Sequence, residues 1–123
     1  MRFMMIYKPA DVQSVEAGTP PTQEQMAQMG AFIGQLAKEG VLLATDGLQA
    51  SSKGVRVKQT DGKVTVTDGP FTESKELIAG FAIVQVPSKA EAVELAKRFL
   101  KLAGDGESEI RQMHDMPAYP PSH

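Results

Sequence analysis

Asp68-Gly69-Pro70-Phe71-Thr72-Glu73-Ser74-Lys75-Glu76-Leu77-Ile78-Ala79-Gly80-Phe81 joins the end of a polar strand to the start of the most apolar strand in the chain. Asp-Gly-Pro is a sharp break. Gly69 tolerates conformations closed to other residues, while Pro70 fixes its own φ and restricts the residue before it. Phe71 then places a large apolar group where an ordinary loop carries polar ones. Thr72 to Glu76 is rich in hydroxyls and charge, and Ile78 to Val86 reads as a central, buried strand.

Upstream of that break, Val55-Arg56-Val57-Lys58 and Lys63-Val64-Thr65-Val66-Thr67 alternate apolar and polar residues around Asp61-Gly62. Asp-Gly suits a type I′ turn, so the pair reads as a β-hairpin. Downstream, Pro87 stops the apolar strand and Ser88-Lys89-Ala90-Glu91 opens a helix with a capping box. Its apolar face runs from Ala92 to Ala103, and Glu94 and Arg98 are spaced to pair on its outside. Gly104 and Gly106 end it, and Glu107 to Met113 is a last strand.

The N-terminal half has the same order. Arg2 to Lys8 reads as a strand buried on both faces, ended by Pro9, and Ala10 to Pro21 as a polar connector. Thr22-Gln23-Glu24-Gln25 is a capping box for a helix carrying Met26, Met29, Ile33 and Leu36 at helical spacing, with Gly40 at its end. Gly30 and Gly34 lie one turn apart on that helix, either to pack closely on a strand or to leave room for a ligand. Val41 to Leu48 follows as a strand. The sum is β-α-β, an inserted hairpin, then β-α-β: an α+β chain of the ferredoxin-like kind, with both helices on one face of the sheet. The helix-free face still has apolar side chains to bury, which predicts a homodimer through the sheet face. Residues 1–123 read as a single domain, with a loose proline-rich tail over 117–123.

Composition narrows the function. With 15 acidic and 13 basic residues the net charge is −2, without the basic field that nucleic-acid contact needs. The absence of Cys removes disulfides, thiolate metal sites and thiol nucleophiles, and two His leave little for a metal site. No apolar run approaches the ~20 residues of a membrane span, so the expectation is a cytoplasmic protein that needs no membrane, metal or cofactor. There is no phosphate-cradling glycine loop and no Ser–His–Asp constellation.

The Asp68–Phe81 segment resembles the signature of the DGPF branch of the YCII-related family, which the order of elements also fits. The resemblance implies a dimeric α/β barrel and carries no assigned reaction. It also implies an acid–base His on the first helix, before a Gly-Ala-Phe such as Gly30-Ala31-Phe32, and an Asp after the second helix. Met29 stands in the first slot, and the nearest acid to the second is Asp105, within Gly104-Asp105-Gly106. No catalytic residue is therefore assigned. Members of that branch are often associated with alternative sigma factors in bacteria, which implies an accessory partner of that kind.

Around the signature stand Asp68, Gly69, Pro70, Phe71 and Glu73, with Met29 in the empty slot and Arg56 and Arg111 as fork donors for a small organic anion. Asp68 is a carboxylate base if buried, or else an acceptor that holds the Gly69-Pro70 turn. Arg56 and Arg111 bind a ligand or pair with Glu73 and Glu109. Met4, Met5, Met26 and Met29 are core filler or an adaptable pocket lining. His114-Asp115 ends the last strand on the surface. Two functions compete: a non-catalytic dimer that binds a small molecule or a protein partner, and a cofactor-free isomerase, lyase or dehydrochlorinase acting on a small organic anion through Asp68 or Glu73.

Overall fold

The computed structural model describes residues 1–71 and 77–115; Glu73 and the tail 117–123 lie outside them. β1 (Arg2–Pro9) runs one residue past its expected end, because Pro9 still pairs with Gly106 across the ladder. The connector after it holds a short helix, α1 (Val12–Glu16), where only a loop was expected. The Asp11 side chain caps it by accepting from the Ser14 N–H at 3.1 Å.

Helix α2 (Gln23–Lys38) opens on the expected capping box. Thr22 Oγ1 accepts from the Gln25 N–H at 3.1 Å and Gln25 Oε1 from the Thr22 N–H at 2.9 Å. Gly40, at φ +75°, follows the C-cap Glu39 in the left-handed conformation that suits glycine. Then come β2 (Leu42–Gly47), a 3₁₀ turn (Ser51–Lys53), and the hairpin strands β3 (Val55–Thr60) and β4 (Lys63–Asp68). At the hairpin tip Asp61 and Gly62 both have positive φ, 52° and 78°, as a type I′ turn requires. β5 (Gly80–Gln85), α3 (Lys89–Ala103) and β6 (Gly106–Gln112) complete the described chain.

Four strands form one antiparallel sheet in the order β2-β5-β1-β6, and β3 and β4 form a separate two-stranded sheet. Phe3 pairs with Val84, and Met5 with Ala82 and Ile110, so alternation sends these side chains to the face that α2 and α3 cover. With Leu36, Val86, Ala92, Leu95 and Ala96 they make the core. Within a single chain β1 is therefore covered on one face only. Phe3 and Met5 are buried, while Met4 and Ile6 are half-buried on the helix-free face, opposite Ile83 and Phe81.

Two further expectations fail. A Cβ added at Gly30 or Gly34 would meet nothing within 4 Å, so neither glycine serves close packing within the chain. Glu94 binds Lys97 at 3.1 Å instead of Arg98, whose guanidinium lies 5.0 Å from the centre of the Phe32 ring. Among the described residues no helix is long and apolar enough to cross a membrane.

Candidate functional site

The sequence candidates fall into three places. Met29 lines a cavity of about 240 Å³ between α2, α3 and the sheet, with Met5, Phe32, Ile33, Leu36 and Phe99. A wider groove continues from its mouth past Tyr7, Met26, Met29 and Gly30 toward the loop after α1. The bare edge at Gly30 follows from the open space at its Cβ, and the groove runs over it.

Tyr7 stands where cavity and groove meet, because β1 alternation directs it to the helix side. Its ring packs edge-on against Phe99, centroids 5.2 Å apart and planes 82° apart. Its hydroxyl donates to the Asp105 carbonyl at 3.3 Å. Burial, and then the negative charge of Asp105, push the phenol pKa up, so the group remains a neutral hydroxyl at physiological pH. Asp46 is the other titratable residue along the cavity. It pairs with Phe81, a register position on the opposite face of the sheet. Thr45 spends its hydroxyl on the Phe81 carbonyl at 2.9 Å. The cavity is thus a mostly apolar space with the Tyr7 phenol at its mouth and Ser108, paired with Tyr7 across the ladder, along its wall.

Asp68, Gly69, Pro70 and Phe71 lie elsewhere, at the base of the hairpin. The Gly69 N–H donates to the Gly54 carbonyl at 3.0 Å, and a Cβ on Gly69 would collide with the Ser51 carbonyl oxygen. The Gly69-Pro70 peptide is cis. Ser51, the single buried polar side chain among the described residues, is the knot of this region. Its hydroxyl donates to Glu16 Oε1, its N–H donates to Glu16 Oε2 at 2.7 Å, and its oxygen accepts from the Phe71 N–H at 3.0 Å. These bonds hold the Glu16 carboxyl below its ordinary pKa, since they favour the charged form. α1, the 3₁₀ turn and the end of β4 are therefore tied through one serine.

Asp68 holds this turn through none of the described residues. Its carboxylate is exposed and makes no hydrogen bond or ion pair with any described residue. Phe71 is half-buried, with the Arg56 guanidinium 4.0 Å from its ring centre, and both border a hollow of about 380 Å³ with Lys53 and Ile78. Arg56 has a further partner.

Arg111 is in neither place. It sits on β6 and donates to Glu109 at 3.2 Å along its own strand, and Lys8 reaches the same carboxylate at 2.9 Å. Lys8 first and Arg111 second hold Glu109 below the ordinary carboxylate range. His114 is exposed beyond β6, its carbonyl accepting from Arg2 at 2.9 Å, and it lines none of these three spaces. Among the described residues no group of His, Asp and Glu could hold a metal ion.

Sequence reasoning missed Tyr7, Phe99, Ser51 and Glu16. Alternation within β1 was a usable signal for Tyr7, which follows Phe3 and Met5 in register. Nothing local marks Ser51 or Glu16, because each acquires its role from a distant loop.

No curated protein matches this chain. Among solved structures it is similar to the 5-chloro-2-hydroxyhydroquinone dehydrochlorinase of Burkholderia phenoliruptrix AC1100 in complex with 2,5-dihydroxybenzoquinone. That likeness has a TM-score of 0.48 and 13% sequence identity, over 93% of this chain and 94% of that one. A likeness at this level bears on neither substrate nor reaction. The model of the YCII-related domain matches residues 1–116, and the chain belongs to that family.

Proposed function

We propose that this YCII-related protein is a non-catalytic homodimer of the DGPF branch that binds a small, mostly apolar molecule in the cavity beside Met29. The observation that carries the reading is the chemistry of that cavity. Met5, Met29, Phe32, Ile33, Leu36 and Phe99 supply dispersion contacts, and the neutral Tyr7 phenol, whose proton goes to the Asp105 carbonyl, supplies one acceptor. General acid–base work needs a group that gains and loses a proton near neutral pH. Tyr7 is moved away from that range, and Met29 has no proton to exchange.

The element order and the strand order β2-β5-β1-β6 favour a ferredoxin-like assignment with the hairpin as insertion. The dimer reading rests on the helix-free face, where Met4, Ile6, Phe81 and Ile83 sit half-buried without a covering layer. Lys8, Glu107, Glu109 and Arg111 fringe that apolar centre with charge, as a polar rim fringes an interface core.

The test is a thermal-shift and NMR titration with small phenols and hydroxybenzoates. A rise in Tm with ligand is expected in the wild type, together with chemical-shift changes at Tyr7 and Phe99. Met29→Trp, which fills the cavity, should abolish both. Undiminished binding by Met29→Trp would place the ligand elsewhere. Steady release of chloride from a chlorinated hydroquinone by the wild type would replace the binding reading with an enzymatic one.

A further inference from the structure

The cavity beside Met29 does not end at its mouth. Tyr7, Met29, Ile33 and Phe99 border both the cavity and the groove, so the two spaces are continuous. An apolar cavity of about 150 Å³ is enough to enclose a benzene ring. The cavity here, about 240 Å³, therefore holds one ring with a short substituent, and a longer molecule extends into the groove.

The groove has an apolar stretch and one open charge. Met26 and Leu48 border it but not the cavity, and stand 52% and 50% exposed. Both are large side chains of the kind that cores take up, left here in water. Gly30 borders the groove too, inside α2, with nothing within 4 Å of its missing Cβ. A glycine there costs helix stability and relieves no crowding, but it keeps that stretch of groove clear. Glu16 and Lys53 are the charged residues along the groove. Both carboxylate oxygens of Glu16 accept from Ser51. The Lys53 side chain has no hydrogen bond or ion pair with any described residue. Among the described residues the groove is thus left with one uncommitted charge, and it is positive.

We propose that cavity and groove together form a site for an aryl alkanoate, with its ring beside Met29, its alkyl chain along Met26, Gly30 and Leu48, and its carboxylate on Lys53. The proposal rests on the reading of the cavity as a binding site and names the class of ligand. The open ammonium selects an anionic head over a cationic one, and the apolar border selects a hydrocarbon chain over a polar one. Orientation follows from Tyr7. Its proton goes to the Asp105 carbonyl, so the junction of cavity and groove offers a carboxylate an acceptor and no donor. The head is therefore directed outward, to the 3₁₀ turn that carries Lys53.

The test is calorimetric titration with phenylacetate, phenylbutyrate, phenylhexanoate and the uncharged phenylbutanol, with circular dichroism on every variant to check folding. In the wild type Kd should fall along the acid series by about two- to fourfold per methylene, the value of half to full burial. Phenylbutyrate should bind roughly threefold to fivefold more tightly than phenylbutanol, the size of an exposed ion pair. Lys53→Gln should erase that difference and leave phenylbutanol unchanged. Lys58→Gln makes the same charge change outside the groove and should leave both ligands as in wild type. Met29→Trp should abolish binding of all four. A Kd that stays flat with chain length while phenol still binds would overturn the proposal and keep the cavity reading. Equal weakening of acid and alcohol by Lys53→Gln would also overturn it, since no ion pair would then be involved. Failure of phenol and of every member of the series to bind the wild type would remove both.

Discussion

The carbonyl oxygen of Ser51 occupies the space that a side chain on residue 69 would need. Gly69 is therefore required by a neighbour rather than by its own backbone angles, and the obstacle is main chain, which cannot swing aside. Gly69→Ala should destabilise the protein by about 3 kcal/mol, the upper part of the usual cost of overpacking. Urea unfolding followed by circular dichroism checks this. A cost below about 1 kcal/mol would mean that the 3₁₀ turn gives way easily.

Gly30 and Gly34 behave oppositely. Each lies inside α2 with open space at its Cβ, so Gly30→Ala and Gly34→Ala should each stabilise by about 1 kcal/mol through helix propensity. Gly30 borders the groove that opens from the cavity, and Gly34 lines neither space. Weaker phenol binding in a stabilised Gly30→Ala, with Gly34→Ala unaffected, is the expected pattern in a paired Tm and titration experiment.

Ser51 and Asp68 make a second contrast. Ser51→Ala removes a donor to Glu16 and the acceptor of the Phe71 N–H, and should cost about 1–3 kcal/mol because both partners are left short of a bond. Asp68→Ala removes an exposed side chain without partners among the described residues and should stay within about 0.5 kcal/mol of wild type. Equal losses in the two variants, measured by chemical denaturation, would restore Asp68 as the turn's anchor.

Glu16 links this region to pH. Its folded pKa is lowered from the ordinary 4.5, so it contributes stability above that value and loses the contribution as pH falls through the lower folded value. The Tm of wild type should therefore fall more steeply than that of Glu16→Gln between about pH 6 and about pH 3. Parallel Tm curves for the two proteins would show that the Ser51 bonds do not discriminate between the charged and neutral forms. Glu109, lowered by Lys8 and Arg111, titrates in the same window and is common to both curves.

Much of the framework is local chemistry and was legible in sequence. The Thr22–Gln25 box, the Ser88 cap that accepts from the Glu91 N–H, and the Asp61-Gly62 turn each close within four residues, so their residue types suffice to specify them. The apolar runs set strand and helix order because burial needs only the right period. What tertiary structure alone decided depends on distant partners. Glu16 and Phe71 meet Ser51 across 35 and 20 residues, and Tyr7 reaches Asp105 across 98. Whether Gly30 is packed or bare, and which face of β1 is covered, likewise depends on how helices lie on the sheet. The Asp68–Phe71 stretch announced a turn in sequence but not the group that holds it. Its turn is held by a serine from another loop, because a hydrogen bond is specified by where two chain segments arrive in space, and sequence spacing carries no such distance.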